Sequence, residues 1–575
     1  MEKYEGAEAF VEVLNANGVE HIFFNPGGEM AAIQATIAKL RTSDKRAPRL
    51  ILCLDESVAM AAAHGHYMIS GRPQVVMVHA ELGTMQVGGA LHNAQWGRIP
   101  VILWAGVFPS AQRVNWMQEP FDQGKMVRNC VKWDHEIRNN ENIHDVLQQA
   151  FKIALTEPCG PVYLCYPREI LVEKIDKVKI PPSARVAVSS TATADADTLS
   201  RAAEILIEAE NPLIMVGYAG RHPQSVASLI ELAETLCAPV LTSQVWMNFP
   251  TTHPLCAGIE QILGSRKANP YIAGADAILV IDYDMPYAVA EGLPGPDAKI
   301  IHIDVDPVTQ GRALWDRAAD IFIEADSREA IPALTNIIRQ RLTPEKSTQF
   351  RERFSQLESG HKKQQEEWHV LAMSRADQRP ISPDWLCHCI AEVVDEDTII
   401  LNHTITQSAS VTEQIYRTKP GTLLGCAAGS IQWALGAAFG AKVAVPDRTV
   451  VSLMTDGGFV WGCPVATLWS ASSYRAPFLS IILNNQSYGC IKWLVQRTSG
   501  EKKLSDKMAF EAGVDFVPPP DYAAVAQACG AYGRMVEDPA DVLPALREAI
   551  DQVRGGRPAV VDVRLETAIE TVAGI

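Results

Sequence analysis

The sequence predicts an α/β protein of three domains, each a mainly parallel sheet flanked by helices. Three observations lead there. Short apolar runs alternate with helical patterns along most of the chain, which is the rhythm of repeated strand-helix-strand units. The runs are apolar throughout, as strands covered by helices on both faces require. A length of 575 residues also exceeds what one hydrophobic core organises, so the alternation has to divide into several units.

The elements justify that reading in order. Over residues 1–180, "AEAFVEVLNANG" is a helix pattern, "HIFF" and "RLILCL" are strands, "ESVAMAAAHGHYMIS" is a helix, and "PQVVMVHA", "IPVILWAG" and "GPVYLCY" are further buried strands. The connector "KIPPSARVAVSSTATADAD" breaks the pattern with Pro, Ser, Thr and Ala. A central domain over 190–342 restarts it with "NPLIMVGYAG", "APVLTS", "DAILVIDYD" and "AKIIHIDVDP". A charged, helix-like stretch from Thr343 to Trp368 and the turn-rich "SRADQRPISPDW" form a linker over 343–380. The last domain, 381–575, carries "DTIILN", "RTVVSLMTDGG", "PFLSIILNN" and "PAVVDVRL". No short tandem repeat is visible.

Composition narrows the function. A formal charge of −16 disfavours nucleic acid and anionic membrane surfaces as partners. No apolar run reaches the length of a membrane span, and "MEKYEGAEAF" lacks a basic start and an apolar leader core, so a cytoplasmic location is expected. Twelve Cys without CxxC pairs suit reduced, buried thiols.

Two strand ends carry the chemistry. "RTVVSLM" runs into Thr455-Asp456-Gly457-Gly458, and "PFLSIIL" runs into Asn484-Asn485. Each alone reads as an ordinary turn. Together, past two parallel strands, they stand at the edge where open α/β sheets bind ligands. Side-chain oxygens of Asp456 and Asn485 with a backbone carbonyl, assigned to Ser487, suit Mg²⁺. Gly457 and Gly458 let a diphosphate come close to the backbone.

That pair, at that spacing, resembles the thiamine-diphosphate signature of the acetolactate synthase and 2-oxo acid decarboxylase superfamily. The likeness runs through "NPLIMVG", "LAETLCAPVLTS", "DVDP" and "AAGSIQWALGAAFGAKVAVPDRTVV", and covers essentially the whole chain. Thr455 replaces the family's leading glycine. The resemblance implies thiamine diphosphate and Mg²⁺ as cofactors, with a pyrimidine-binding first domain and a diphosphate-binding third one. It places Glu56, at the strand-to-helix junction of "LCLDESVAMAAAHGHY", as the carboxyl that protonates the pyrimidine N1′; alone, Glu56 reads as a first-turn helix carboxylate. It assigns Asn25, Pro26, Thr404, Thr406, Gly429, Ser430, Ile431, Thr455, Gly457, Gly458 and Tyr488 to the cofactor. Ile431 is the apolar prop under the two rings, and the Gly429 carbonyl accepts from the 4′-amino group. Read without the resemblance, the hydroxyls are caps and Ile431 is core.

Within the superfamily, "FNPGG", "VHAELGTMQVGGALHNA", "LNHT", "CAAGSIQWALGAA" and "NNQSYGCIKWL" resemble benzoylformate decarboxylase more than acetolactate synthase. His79 falls where that enzyme carries an active-site histidine able to move protons; the competing reading is a histidine satisfied at a strand end. There are two departures. Gly28 stands where the decarboxylase has serine, and residues 276–300 contain no histidine where a second one is expected. Val107 and "DYDMPYA" replace features of the acetolactate synthases and argue against FAD. The short tail after the last strand leaves little room for the lid of CoA-linked relatives.

Gly28, Met117, Phe459, Trp461, Ile491 and Leu494 are assigned to the substrate pocket, although each is also ordinary core by residue type. Their character favours a medium-sized hydrophobic or aromatic 2-oxo acid over pyruvate. The expected reaction is decarboxylation of such an acid, or cleavage or formation of a 2-hydroxy ketone (acyloin). An acetolactate synthase-like or 2-hydroxyacyl-CoA lyase-like enzyme, and a non-catalytic relative, stay open. In the family the two domains around one cofactor belong to different subunits, so a homodimer or homotetramer is expected.

Overall fold

The computed structural model describes residues 3–109, 122–140, 142–176, 192–259, 269–284, 294–308, 319–501 and 504–566, and Met117 lies outside them. Among the described residues, three six-stranded sheets, parallel in every pairing, form the three domains, and a short antiparallel pairing joins Lys3–Glu5 to Lys174–Asp176. In space the first sheet runs Arg49–Leu52, His21–Phe24, Gln74–Val78, Val101–Val107, Val162–Pro167, Asp134–Glu136. The third runs Leu423–Gly425, Ile399–His403, Val450–Thr455, Leu479–Asn484, Ala559–Arg564, Tyr532–Val536. Numbered within its own domain, each of these sheets has the strand order 2-1-3-4-6-5. The order reverses between the first and third strands of each domain, and the loops there part to opposite faces and leave a crevice.

The second sheet runs Cys256–Ile259, Val240–Thr242, Pro212–Val216, Ala277–Ile281, Lys299–Asp304, Ile321–Glu324, which is the order 3-2-1-4-5-6. Its interior strands Pro212–Val216 and Ala277–Ile281 are buried along their whole length, as continuous apolar runs between two helix layers should be. Buried ion pairs tie this domain to the first: Arg98 reaches Asp284 at 2.7 Å and Asp304 at 2.8 Å, and Arg221, held within its own domain by Asp282 at 2.7 Å, reaches Glu157 at 3.0 Å. The charged linker is a single helix, Pro344–Ser374, capped by the Thr343 hydroxyl, with only Phe350, His361 and Ala372 buried.

The first and third domains meet through helices Glu56–Ser70 and Trp433–Ala444. Small residues let the two backbones touch. A Cβ on Gly440 would lie 1.8 Å from the Ala62 carbonyl oxygen, and one on Gly65 would lie 2.1 Å from that of Ala437. Phe23 of the first sheet meets Phe439 edge-on, with ring centroids 6.4 Å apart, so the two domains share one apolar core.

Candidate active site

At the crevice of the third domain, strand Val450–Thr455 ends in Thr455, whose hydroxyl accepts from Gly458 N at 3.1 Å and caps the helix Asp456–Trp461. Asp456 is therefore the first residue of that helix. Its Oδ1 accepts from Gly457 N at 2.7 Å, and the backbone of Gln486 and Ser487 also hydrogen-bonds the carboxylate. The two strand ends singled out in the sequence thus converge. Asp456 Oδ2 is buried and has no partner among the described residues. Burial pushes this carboxyl up to about 7, against the lowering effect of those backbone bonds.

The two asparagines divide their work. Asn484 is fully buried and donates to Asp562 at 2.7 Å, which makes it part of the framework. Asn485 is buried too, and its Oδ1 accepts from Ser487 N at 3.3 Å. The Ser487 hydroxyl donates to the Val514 carbonyl at 3.1 Å. The Ser487 carbonyl accepts from Gly489 N at 2.8 Å and keeps a second lone pair. A bare buried carboxylate oxygen, with an amide and that carbonyl on the neighbouring loop, is a donor set that fits a hard divalent cation such as Mg²⁺.

Around this point lie the other residues assigned to the cofactor. Gly457 packs against Tyr488, where a Cβ would come within 2.6 Å of the ring, and Tyr488 stacks edge-on against Phe516 at 4.8 Å. Gly458 sits against Thr455 and the Ile431 carbonyl. The Thr404 hydroxyl bonds Asn402 Oδ1 at 2.7 Å and is committed to its own turn, while Thr406 lies beside Gly489 and Cys490. Gly429 faces open space, and Ser430 is held by both groups of the Asn93 amide, at 2.8 and 3.2 Å. Asn93 belongs to the first domain. Its role was not legible in the sequence, because only the tertiary contact selects it among many asparagines.

In the first domain, Asp55 accepts from Ser57 N at 2.8 Å and Val58 N at 3.2 Å, so the helix begins at Glu56. Asn25, just past strand His21–Phe24, donates to Glu56 Oε1 at 3.1 Å. Pro26 is exposed beside it, and a Cβ on Gly28 would meet nothing within 4 Å. His79 follows strand Gln74–Val78 and bonds Glu29 through Nδ1 at 2.6 Å. Glu29 is missing from the residues marked out by sequence, although an acid directly after Gly27-Gly28 was a signal that pointed to it.

The pocket residues separate. Phe459 is fully buried and packs on Tyr522 with ring centroids 5.6 Å apart, so within the chain it is core rather than pocket wall. Trp461, Ile491 and Leu494 are 52%, 49% and 46% exposed. The described residues leave them half-exposed.

Three family models match: thiamine pyrophosphate enzyme, N-terminal TPP binding domain, over residues 4–126; central domain, over 199–334; and C-terminal TPP binding domain, over 404–563. The chain is 26% identical to the acetolactate synthase isozyme 3 large subunit of Escherichia coli, over 98% of this chain and 96% of that one. It is 27% identical to benzoylformate decarboxylase of Pseudomonas aeruginosa, over 97% and 98%. Among solved structures, a thiamine diphosphate-dependent 4-hydroxybenzoylformate decarboxylase of Rhodococcus jostii superposes with a TM-score of 0.79 at 23% identity, covering 98% of this chain and 99% of that one. A benzoylformate decarboxylase of Polynucleobacter necessarius does so with 0.81 at 21%, with the same coverage. These two establish the fold. With all three domain models in their proper order, the chain belongs to the thiamine pyrophosphate enzymes, the family of the acetolactate synthases and benzoylformate decarboxylases.

Proposed function

We propose that this enzyme uses thiamine diphosphate and Mg²⁺ to decarboxylate a medium-sized hydrophobic or aromatic 2-oxo acid. The observation that carries the reading is Asp456 Oδ2, a buried carboxylate oxygen with no partner among the described residues, on a carboxylate that the backbone of Gln486 and Ser487 approaches just after Asn485. Asp456, Asn485 and the Ser487 backbone would hold the metal, and Gly429 and Ile431 the pyrimidine and thiazolium rings. Bound thiamine diphosphate supplies an electron sink for breaking the bond beside a carbonyl. Glu56, oriented by Asn25, holds a proton at the pyrimidine nitrogen, and His79 moves one at the substrate.

Several features support the finer reading. A Cβ on Gly28 would meet nothing within 4 Å, which leaves room at that position, next to the Gly27 that packs on His79, for a bulky side chain on the acid. Asp282 and Asp304, at strand ends of the second domain where a dinucleotide would seek its partners, are already paired with Arg221 and Arg98, which favours an enzyme without FAD. The half-exposed Trp461, Ile491 and Leu494 favour a second copy of the chain as their cover, in a homodimer or a pair of dimers. Carboligation is the second reading, favoured by similarity to an acetolactate synthase subunit over nearly the whole chain.

The test is a screen of aliphatic and aromatic 2-oxo acids and acyloins, with thiamine diphosphate and Mg²⁺ present, following CO₂ and aldehyde. Release of both from an aromatic or branched acid is expected. Activity on pyruvate alone, with acetolactate as product, would reject the substrate assignment in favour of carboligation.

A further inference from the structure

Glu29 is only 3% exposed. Its Oε1 lies 2.6 Å from His79 Nδ1, and the packing around the pair is shaped for that contact. A Cβ on Gly106 would fall 1.5 Å from Glu29 Cγ, and one on Gly27 would fall 2.2 Å from His79 Nδ1 and 2.6 Å from each Glu29 carboxylate oxygen. Two glycines on different strand ends therefore open the slot in which acid and imidazole meet. A carboxylate, when ionised, can only accept, and in that state the 2.6 Å contact requires the proton on Nδ1. Nε2 has no partner among the described residues, and the His79 side chain keeps 25% of its surface exposed while Glu29 keeps 4%. The helix that follows His79 passes Glu56: the His79 carbonyl accepts from Gly83 N at 2.7 Å, and a Cβ on Gly83 would lie 3.2 Å from Glu56 Oε1.

We propose that Glu29 is a positioning residue that fixes the proton of His79 on Nδ1, so that Nε2 alone exchanges protons with the substrate. This rests on the reading of the site as that of a 2-oxo acid decarboxylase. In the step, the Nε2 proton of the imidazolium passes to the substrate carbon that has lost CO₂. The ring is left neutral, with Nδ1–H still bonded to Glu29, and Nε2 takes its next proton from water. The two departures from benzoylformate decarboxylase give the arrangement its purpose. With glycine at position 28 and no histidine over residues 276–300, His79 has no hydroxyl or second imidazole from those segments to share the work. A ring free to change tautomer would present the wrong nitrogen for part of the time.

Two measurements on the full-length protein loaded with thiamine diphosphate and Mg²⁺ test this. Long-range ¹H–¹⁵N spectra of histidine-labelled protein at alkaline pH, with His79 assigned by its loss in His79→Ala, should show the Nδ1–H tautomer in the wild type. Glu29→Gln, whose amide oxygen still accepts, should keep it, and Glu29→Leu should show a mixture. On the best 2-oxo acid, Glu29→Leu should lower kcat at least about tenfold with little change in KM, Glu29→Gln should retain most activity, and Glu29→Leu should add nothing to His79→Ala. A wild-type His79 carrying its proton on Nε2 overturns the proposal, even if Glu29→Leu does not fold. So does a Glu29→Leu loss that persists undiminished without His79. If the tautomer behaves as expected while no 2-oxo acid is turned over, the positioning by Glu29 stands and the assignment of the reaction fails.

Discussion

Thr455 stands where the family carries glycine, and its backbone, at φ −81° and ψ 163°, is extended and has no need of one. Its hydroxyl instead caps the helix that Asp456 opens, so the departure leaves the Asp456 carboxylate at the head of that helix. Glu56→Gln should leave the fold and thiamine diphosphate affinity largely intact and lower turnover by at least about a hundredfold, the size expected for a positioned proton-transfer group; steady-state kinetics beside a cofactor titration checks it, and near-normal turnover would refute the role. Asp456→Ala should weaken Mg²⁺ and thiamine diphosphate binding together, because a metal held at the proposed site would link protein to phosphate. Equilibrium dialysis showing unchanged cofactor affinity would count against that metal site.

Among the elements, the helix pair Glu56–Ser70 and Trp433–Ala444 is the tightest contact between the first and third domains. Its glycines invite a comparison with one elsewhere. Gly440→Ala drives a methyl into the Ala62 carbonyl and should destabilise by about 1–3 kcal/mol. Gly360→Ala, in the helix Pro344–Ser374 with nothing within 4 Å, should stabilise by about 0.5–1 kcal/mol. Urea denaturation of the two variants measures both signs, and equal effects would show that the helices do not pack this closely. Strands divide in a related way. Interior strands such as Val101–Val107 and Leu479–Asn484 are buried throughout and stand out as apolar runs. Asp134–Glu136 and Tyr532–Val536 are half-exposed edge strands, Leu423–Gly425 is a three-residue edge, and none of these offers a pattern to read.

At the scale of the whole molecule, Glu413 sits where the linker helix and the second and third domains enclose a cavity of about 180 Å³ lined by Thr251, His361, Trp368 and Tyr416. Burial, then the charge of Asp384, pushes its carboxyl up to about 7. A group raised in the folded state contributes stability that is complete below its unfolded value and is lost as pH rises through the folded one. Glu413→Gln should therefore match the wild type near pH 4 and exceed it at pH 8. A difference in denaturation midpoint that stays constant across that range would reject the shift. If each site takes Glu56 from one subunit and Asp456 from its partner, mixing inactive Glu56→Gln and Asp456→Ala chains under subunit exchange should restore one intact site per heterodimer. Heterodimers seen by native mass spectrometry without any activity would mean that each site comes from a single chain.

By itself the sequence determined the three-domain α/β plan, the strands at the centre of each sheet, and the ends that carry Glu56, Asp456 and Asn485. Those features are local: buried strands need continuous apolar runs, and a ligand edge needs small or polar residues directly after them. Only the tertiary structure decided which side chains meet there. It set Asn93 against Ser430 across two domains, gave Asn484 to Asp562, sent Phe459 into the core and left Trp461 at the surface. It also joined Glu29 to His79, 50 residues apart in the chain. Such pairings depend on strand order and on glycines that open space at a distance, and neither leaves a periodic trace along the chain.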